Sequence, residues 1–188
     1  MKNFLQIASG VETSKILLGV HINSHLWDQN LLRTHHENTP HSQVSDIWVR
    51  FNDITKYNNE EEAREVLDEH ESINYPAFTE IPALRSVVFG LMAAVEGERL
   101  GRVLITKVRP GGRIDPHVDS GNHAAYYDRF HIVLQSGPGC LFRAGQETVH
   151  MRPGEVWWFD NQQEHEVVNN SSVDRIHIIV DIRTSRFK

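Results

Sequence analysis

The sequence predicts a mainly β protein with flanking helices, organised around an antiparallel jelly-roll. After residue 101, short runs rich in β-branched and aromatic residues alternate with turn signals every 8 to 12 residues. This rhythm favours a sandwich or barrel of about eight strands over a parallel α/β fold. The predicted strand runs are RVLITKVR, RIDPHVD, RFHIVLQ, CLFRA, ETVHM, EVWWFD, EHEVVN and RIHIIVDIR.

Length and composition fit one domain. A chain of 188 residues with 39% apolar residues can bury one core. We therefore expect a single domain over residues 1–188, in which a mixed α/β front (1–100) supports the β-rich back (101–183). The interior of such a barrel is where a small ligand or a metal ion would lie.

The front contains four predicted elements. Residues 11–30 can place their apolar side chains on one side of a helix. Residues 44–51, VSDIWVRF, predict a strand in which Ile47, Val49 and Phe51 alternate with Asp46, Trp48 and Arg50. Residues 60–71, EEEAREVLDEHE, predict a charged surface helix, and residues 83–101 predict a more apolar helix that ends at Gly101.

Composition narrows the functional classes. The single cysteine, Cys140, excludes an internal disulfide and a multi-cysteine zinc site, and it fits a reducing compartment. No apolar stretch approaches the ~20 residues that span a bilayer, and the N-terminus lacks a secretory signal. A net charge of −6 makes binding to a phosphate backbone an unfavoured function. We expect a cytoplasmic protein that binds neither membrane nor nucleic acid, while its oligomeric state stays open.

His117, Asp119 and His165 form the most informative pattern. His117 and Asp119 lie two residues apart in a predicted strand, so their side chains face the same way. His165 follows 46 residues later, at the start of another predicted strand. Two imidazoles and one carboxylate suit Fe(II) and leave open positions for O₂ and a co-substrate. Asp119 has an alternative role, as the hydrogen-bond acceptor of a ligand imidazole.

Two arginines accompany this pattern. Arg175 follows His165 by ten residues and opens a strand with one strongly apolar face. A buried arginine there needs an anionic partner, either a protein carboxylate such as Asp181 or the distal carboxylate of 2-oxoglutarate. Arg129 and His131 share one face of another strand. They suit an anionic ligand near the metal, or else a half-exposed surface.

The run from PGGRIDPHVDSG through DRFHIVLQ and MRPGEVWWFDNQQEHEVV to RIHIIVDIR resembles the aspartyl/asparaginyl β-hydroxylase family of 2-oxoglutarate oxygenases. The resemblance covers roughly residues 100–183. It implies a double-stranded β-helix in which His117 and His165 are iron ligands. Arg175 would hold the side carboxylate of 2-oxoglutarate, helped by Thr106. Arg129 and His131 would contact the co-substrate at or beside its keto-acid end.

One residue departs from part of that family. The vertebrate peptidyl hydroxylases have glycine where this chain has Asp119, and they bind iron through two histidines. The carboxylate here predicts a complete triad of His117, Asp119 and His165. It also weakens any transfer of the vertebrate protein substrate.

These residues predict an Fe(II)- and 2-oxoglutarate-dependent dioxygenase that hydroxylates an unactivated C–H of an amino-acid side chain, free or in a polypeptide. The alternative is a non-oxidative metal-binding cupin, an isomerase or a small-molecule binder, against which Arg175 argues. A third possibility, an interaction module derived from such an enzyme, fits poorly with a complete set of ligands. Substrate choice is expected to depend on residues 35–50 and on a polar loop, 120–128, whose Tyr126 and Tyr127 would form a lid or cap the barrel edge.

Overall fold

The computed structural model describes residues 1–57, 62 and 70–187, and its described part is dominated by two antiparallel sheets. The larger sheet has the strand order β1-β9-β6-β11-β4-β2-β3, and the smaller has β5-β10-β7-β8. The strands are β1 (Phe4–Ala8), β2 (Val44–Phe51), β3 (Ile73–Asn74), β4 (Arg99–Val108), β5 (Arg113–His117), β6 (Asp128–Gln135), β7 (Cys140–Ala144), β8 (Glu147–Val149), β9 (Val156–Phe159), β10 (His165–Asn169) and β11 (Arg175–Arg183). The predicted jelly-roll is confirmed, and each of the eight predicted runs contributes one of the strands β4 to β11.

The helices differ more from the predictions. They are α1 (Ser14–Ile22), α2 (Ala77–Glu80), α3 (Ala83–Ala94) and α4 (Gly121–Tyr126), with short 3-10 helices at Ser24–Leu26 and Ile54–Lys56. The helix predicted over 11–30 stops at Ile22, and Asp28 has a left-handed φ of 58°, which ends regular structure there.

Three further predictions are corrected or fall outside the described part. The helix predicted over 83–101 ends at Ala94, and Gly101 lies within β4 instead of closing the helix. The backbone turns after Ala94 through Glu96, whose φ of 56° is left-handed. Much of the predicted loop 120–128 is the short helix α4. The predicted helix over 60–71 falls almost entirely on residues outside the described ones.

The alternating pattern of β11 explains where the site lies. Ile176, Ile178 and Val180 point into the main hydrophobic core. Their neighbours Arg175 and His177 point the other way and are also buried, each 1% exposed. A strand buried on both faces needs polar partners or a ligand on its polar face. Arg175, which is predicted to hold the co-substrate, lies on that face.

The front strand β2 departs from strict alternation. A register irregularity between Trp48 and Arg50 places Phe51 on the same side as Trp48, and their rings stack at 3.9 Å. The predicted grouping of Ile47, Val49 and Phe51 on one face therefore holds only for the first two. Bulges of this kind re-aim side chains and are common near ligand sites.

Among the described residues, no helix is both long and apolar enough to span a membrane.

Candidate metal and co-substrate site

Antiparallel pairing brings the two predicted histidine ligands together. β5 ends at His117 and β10 begins at His165, and the register sets these two residues directly opposite each other. Their ring centroids are 4.2 Å apart. Asp119 follows just beyond the end of β5, and one ligand atom from each of the three residues lies within 4.8 Å of the others. The predicted triad is therefore one cluster in the fold.

Main-chain carbonyl groups orient both imidazoles. His117 Nδ1 lies 2.8 Å from the carbonyl oxygen of Asp115, and His165 Nδ1 lies 2.9 Å from that of Gln163. A carbonyl only accepts hydrogen bonds, so each Nδ1 carries the proton and each Nε2 has a free lone pair.

The carboxylate of Asp119 faces those free nitrogens. Its Oδ1 lies 3.6 Å from His117 Nε2 and 3.8 Å from His165 Nε2. The alternative role of Asp119, as acceptor for an imidazole N–H on the far side of the ring, does not fit, because Nδ1 of each ring already has its carbonyl. Three ligand atoms thus converge on one point from one side.

Charge and burial keep Asp119 and His165 in the protonation states that bind metal. Burial by itself raises the pKa of Asp119, but Arg129 and the two imidazoles outweigh burial and hold that pKa far below its usual value. Burial lowers the pKa of His165 to about 4, against the opposing effect of Asp119. At neutral pH the cluster therefore contains a carboxylate and an uncharged His165, which are the forms that bind metal.

Arg175 is a buried cation whose two terminal nitrogens have no hydrogen-bond partner in the described part of the chain. The side chain is 1% exposed, with its guanidinium 5.7 Å from the centroid of the Phe142 ring. Burial lowers the pKa of Arg175 to about 10, a shift that the neighbouring Cys140 thiol only partly opposes. Asp181, the protein carboxylate considered as its partner, pairs with Arg129 instead.

Two more buried polar atoms without a partner lie near Arg175. Thr106 Oγ1 and His177 Nε2 have no hydrogen-bond partner within the described residues, and the two residues are directly opposite each other in the β4–β11 pairing. Buried polar atoms of this kind are rare unless a ligand or water satisfies them. A cation, a hydroxyl and an imidazole on one buried face suit the distal carboxylate of 2-oxoglutarate, the one far from its keto group.

His177 was missed by the sequence analysis. It stands two residues after Arg175, so the period of the strand puts both on one face; this spacing was the available signal. His131 Nδ1 lies 3.3 Å from His177 Nδ1. Burial, and then the charge of Arg175, lowers the pKa of both histidines well below the usual value, so neither adds a positive charge at neutral pH.

Arg129 lies on the face predicted for it but is held by two carboxylates. Its Nη1 donates to Asp119 Oδ2 at 2.7 Å, and its Nε and Nη2 donate to the two oxygens of Asp181 at 2.8 and 3.0 Å. Burial lowers the pKa of Arg129, but the two carboxylates outweigh it and raise that pKa above its usual value. The predicted contact of Arg129 with the co-substrate stays a prediction.

A cavity of about 420 Å³ opens beside Asp119 and leads to solvent. Its lining includes His41 from the 35–50 segment, Leu104 of β4 and His123 of α4. Neither Tyr126 nor Tyr127, both of which the structure describes, lines this cavity. Tyr127 is 1% exposed and donates a hydrogen bond to the carbonyl oxygen of His70, so it packs in the barrel wall and is not a lid.

The family model described as aspartyl/asparaginyl β-hydroxylase matches residues 21–185. The chain belongs to that family. The match extends well into the front of the chain, beyond the 100–183 segment that carries the sequence resemblance.

Curated relatives of this hydroxylase-family chain are similar over part of its length. L-proline cis-4-hydroxylase of Rhizobium meliloti is 29% identical over 83 residues, which are 44% of this chain and 30% of that protein. The human aspartyl/asparaginyl β-hydroxylase is 33% identical over 87 residues, which are 46% of this chain and 11% of that protein. The chain thus spans less than a third of either relative.

Solved structures agree on the fold. A 2OG-Fe(II) oxygenase family oxidoreductase from Burkholderia pseudomallei superposes with a TM-score of 0.55 at 16% identity, covering 89% of this chain and 78% of that one. The viral collagen prolyl hydroxylase of Paramecium Bursaria Chlorella virus-1 gives a TM-score of 0.53 at 9% identity, with 97% and 96% covered. Likeness at these identities concerns the fold alone.

Proposed function

We propose that this protein is an Fe(II)- and 2-oxoglutarate-dependent dioxygenase that hydroxylates a C–H bond of an amino-acid side chain, free or within a polypeptide. The observation that carries the proposal is a His-Asp-His cluster together with Arg175, a buried cation whose two terminal nitrogens have no hydrogen-bond partner among the described residues. Either feature alone occurs in other kinds of protein. Together they provide ligands for one iron ion and a cationic partner for one dicarboxylate.

His117, Asp119 and His165 would hold the iron. Imidazole and carboxylate suit Fe(II), and three ligands from one side leave the opposite positions for other molecules. The protein prepares this site before metal binding, because carbonyl groups already fix both rings and Arg129 already fixes one oxygen of Asp119. Iron bound here would supply an oxidation by O₂ in which 2-oxoglutarate loses CO₂ to give succinate, with one oxygen atom entering succinate and the other entering the substrate C–H bond.

Arg175, Thr106 and His177 would hold the distal carboxylate of 2-oxoglutarate. The guanidinium offers two free nitrogens, Thr106 offers a hydroxyl proton, and His177 offers Nε2 as a donor in the matching tautomer. Arg129 contacts Asp119, and His131 lies 3.3 Å from His177. These two residues would contact the co-substrate at its keto-acid end or close beside it. Their enclosed position excludes bulk water, which strengthens each charged contact.

The substrate would enter through the cavity beside Asp119. Its volume of about 420 Å³ accommodates a single side chain or a small free amino acid next to the metal cluster. The names of the relatives, which refer to L-proline and to aspartyl or asparaginyl residues, support an amino-acid substrate. His41 of the 35–50 segment and His123 of helix α4 line this cavity, so their side chains would contribute to the choice of substrate.

A non-oxidative metal-binding cupin is the second candidate, since it would use the same barrel and the same three ligands. Its reaction does not require a buried arginine such as Arg175, whose two terminal nitrogens have no hydrogen-bond partner among the described residues. Binding of 2-oxoglutarate separates the two functions, because only the oxygenase requires it.

The proposal is tested by supplying the purified protein with Fe(II), 2-oxoglutarate, O₂ and a panel of free and amide-capped amino acids. We expect succinate formation to be stimulated by one class of amino acid, together with a product heavier by one oxygen atom. Arg175→Met should lose both signals. A protein that binds metal but neither binds nor consumes 2-oxoglutarate would favour the non-oxidative cupin.

A further inference from the structure

A chain of alternating charges connects the metal cluster to the interior of β11. Asp119 Oδ2 accepts from Arg129 Nη1 at 2.7 Å, and the other edge of the guanidinium binds Asp181. His123 Nε2 then lies 3.0 Å from Asp181 Oδ2. Asp181 is 1% exposed and His123 is 3% exposed, so both are removed from solvent. The β6–β11 register sets Arg129 and Asp181 directly opposite each other, which brings their side chains together.

Arg129 shares its N–H donors between Asp181 and Asp119, and this arrangement decides which oxygen of Asp119 faces the histidines. An arginine beside one carboxylate favours a two-pronged contact that occupies both oxygens. Here Asp181 takes that two-pronged contact through Nε and Nη2, and only Nη1 reaches Asp119. Asp119 Oδ1 is therefore left facing the two histidines.

We propose that Asp181 is a positioning residue for the metal site, acting through Arg129 to keep Asp119 Oδ1 directed at the metal. This inference rests on the proposed function only in assuming that His117, Asp119 and His165 bind a metal. It assigns a task to Asp181, which the sequence analysis considered only as a possible partner of Arg175. Without Asp181, the guanidinium is free to engage both oxygens of Asp119 and withdraw that carboxylate from the metal.

Co(II) is a suitable probe, because it occupies mixed imidazole and carboxylate sites and its visible spectrum reports coordination geometry. We expect Asp181→Asn to bind Co(II) about 10- to 100-fold more weakly than the wild type, the range typical of groups that support metal ligands. Its Co(II) spectrum should also change, since one ligand is lost or shifted. Unaltered affinity, within twofold, together with an unaltered spectrum would overturn the proposal.

Asp46→Asn is the matched control. Asp46 is also 1% exposed and also receives a two-pronged arginine contact, from Arg33 at 2.7 and 2.9 Å. It contacts none of the three metal ligands. We expect both substitutions to destabilise the fold to a similar degree, but only Asp181→Asn to weaken Co(II) binding.

A second variant separates positioning from simple electrostatics. Arg129→Gln removes a positive charge next to the cluster, so charge alone predicts tighter Co(II) binding. Positioning predicts weaker binding, because the 2.7 Å contact that holds Asp119 Oδ2 is then lost and the longer contact from Asn161 Nδ2, at 3.5 Å, remains. Binding as tight as that of the wild type or tighter overturns the proposal, and this test remains available if Asp181→Asn does not fold. Failure of the wild type itself to bind Co(II) would instead contradict the proposed function.

Discussion

Thr106 of β4 lies directly opposite His177 of β11, and each has a buried polar atom without a hydrogen-bond partner in the described chain. Arg175 adds two such nitrogen atoms on the same face of β11. An unsatisfied buried polar group typically costs about 1–3 kcal/mol. Three groups of this kind on one face are the arrangement expected of a protein that keeps a carboxylate site ready for its ligand.

Replacing Thr106 by valine tests whether its hydroxyl binds 2-oxoglutarate. Valine has nearly the same shape, and the hydroxyl has no partner to lose, so we expect the free energy of unfolding without ligand to stay the same or rise. The dissociation constant for 2-oxoglutarate should increase by about tenfold, because a hydrogen bond to a charged group is lost. Calorimetric titration of the metal-loaded protein measures this change.

Thr184→Val is the control for that substitution. Thr184 is equally buried, but its hydroxyl donates to the carbonyl oxygen of Val95 at 2.8 Å. We expect it to lose about 1 kcal/mol of stability and to bind 2-oxoglutarate normally. Equal changes in stability and in 2-oxoglutarate affinity for Thr106→Val and Thr184→Val would argue that Thr106 does not bind 2-oxoglutarate.

Replacing Arg175 by methionine should separate stability from binding. The substitution removes a buried cation that has no carboxylate partner in the part of the chain that the structure describes, so we expect the ligand-free protein to become more stable by about 1–3 kcal/mol. Addition of 2-oxoglutarate, which should raise the melting temperature of the wild type, should leave the variant unchanged. Arg143→Met, at an exposed ion pair with Glu166, should retain the ligand-induced shift. A destabilised variant that still responds to 2-oxoglutarate would mean that Arg175 has a purely structural role.

Asp119→Ala tests whether the carboxylate is a true ligand. We expect Fe(II) affinity to fall sharply and succinate formation to be lost, because one of three ligands is removed and Arg129 is left without one of its partners. Anaerobic titration with Fe(II) measures the affinity. Full activity in the variant would show that two histidines suffice, as in the vertebrate members of the family.

Stability of the metal-free protein should fall steeply in mild acid. Burial, the largest effect in each case, lowers the pKa of His165 to about 4 and those of His41, His131 and His177 well below the usual value. These groups stay neutral when folded but take up protons on unfolding below their unfolded pKa of about 6.5, so acid favours the unfolded state. Each contributes a slope of up to about 1.4 kcal/mol per pH unit as the pH falls from about 6.5 towards the folded pKa.

Urea unfolding at pH 7, 6 and 5.5 in the presence of a chelator checks this prediction. The depressed carboxylates of the site act only below about pH 4, outside that window. A free energy of unfolding that is constant from pH 7 to 5.5 would contradict the neutral, buried state of these histidines.

Much of the site was predictable because strands impose a period of two. That period placed Arg129 with His131 on a shared face without any structure. Asp119 was expected in the same strand as His117, but β5 ends at His117 and Asp119 approaches the cluster from just beyond the strand end. Turn residues marked the strand boundaries, so all eight predicted runs of the back half form strands. The weaker predictions concern helices, where Gly101 was taken as a helix end although it lies within β4.

The remaining features depend on pairing between distant segments. Nothing in the sequence indicates that Asp181 pairs with Arg129 and leaves Arg175 without a carboxylate, because that choice follows from the β6–β11 register. Nor does alternation predict the irregularity in β2 that turns Phe51 toward Trp48. Strand β1 was also not predicted, since its five residues form a strand by pairing with β9.

The central claim is that one site binds Fe(II) and 2-oxoglutarate together, and anaerobic visible spectroscopy tests it most directly. Fe(II) and 2-oxoglutarate are added to the protein without oxygen, and oxygen is then admitted while succinate is measured. We predict a weak charge-transfer band of a chelated keto acid that disappears as succinate forms, and that is absent in Asp119→Ala and Arg175→Met. Tight binding of another metal, with no such band and no succinate, would contradict the account.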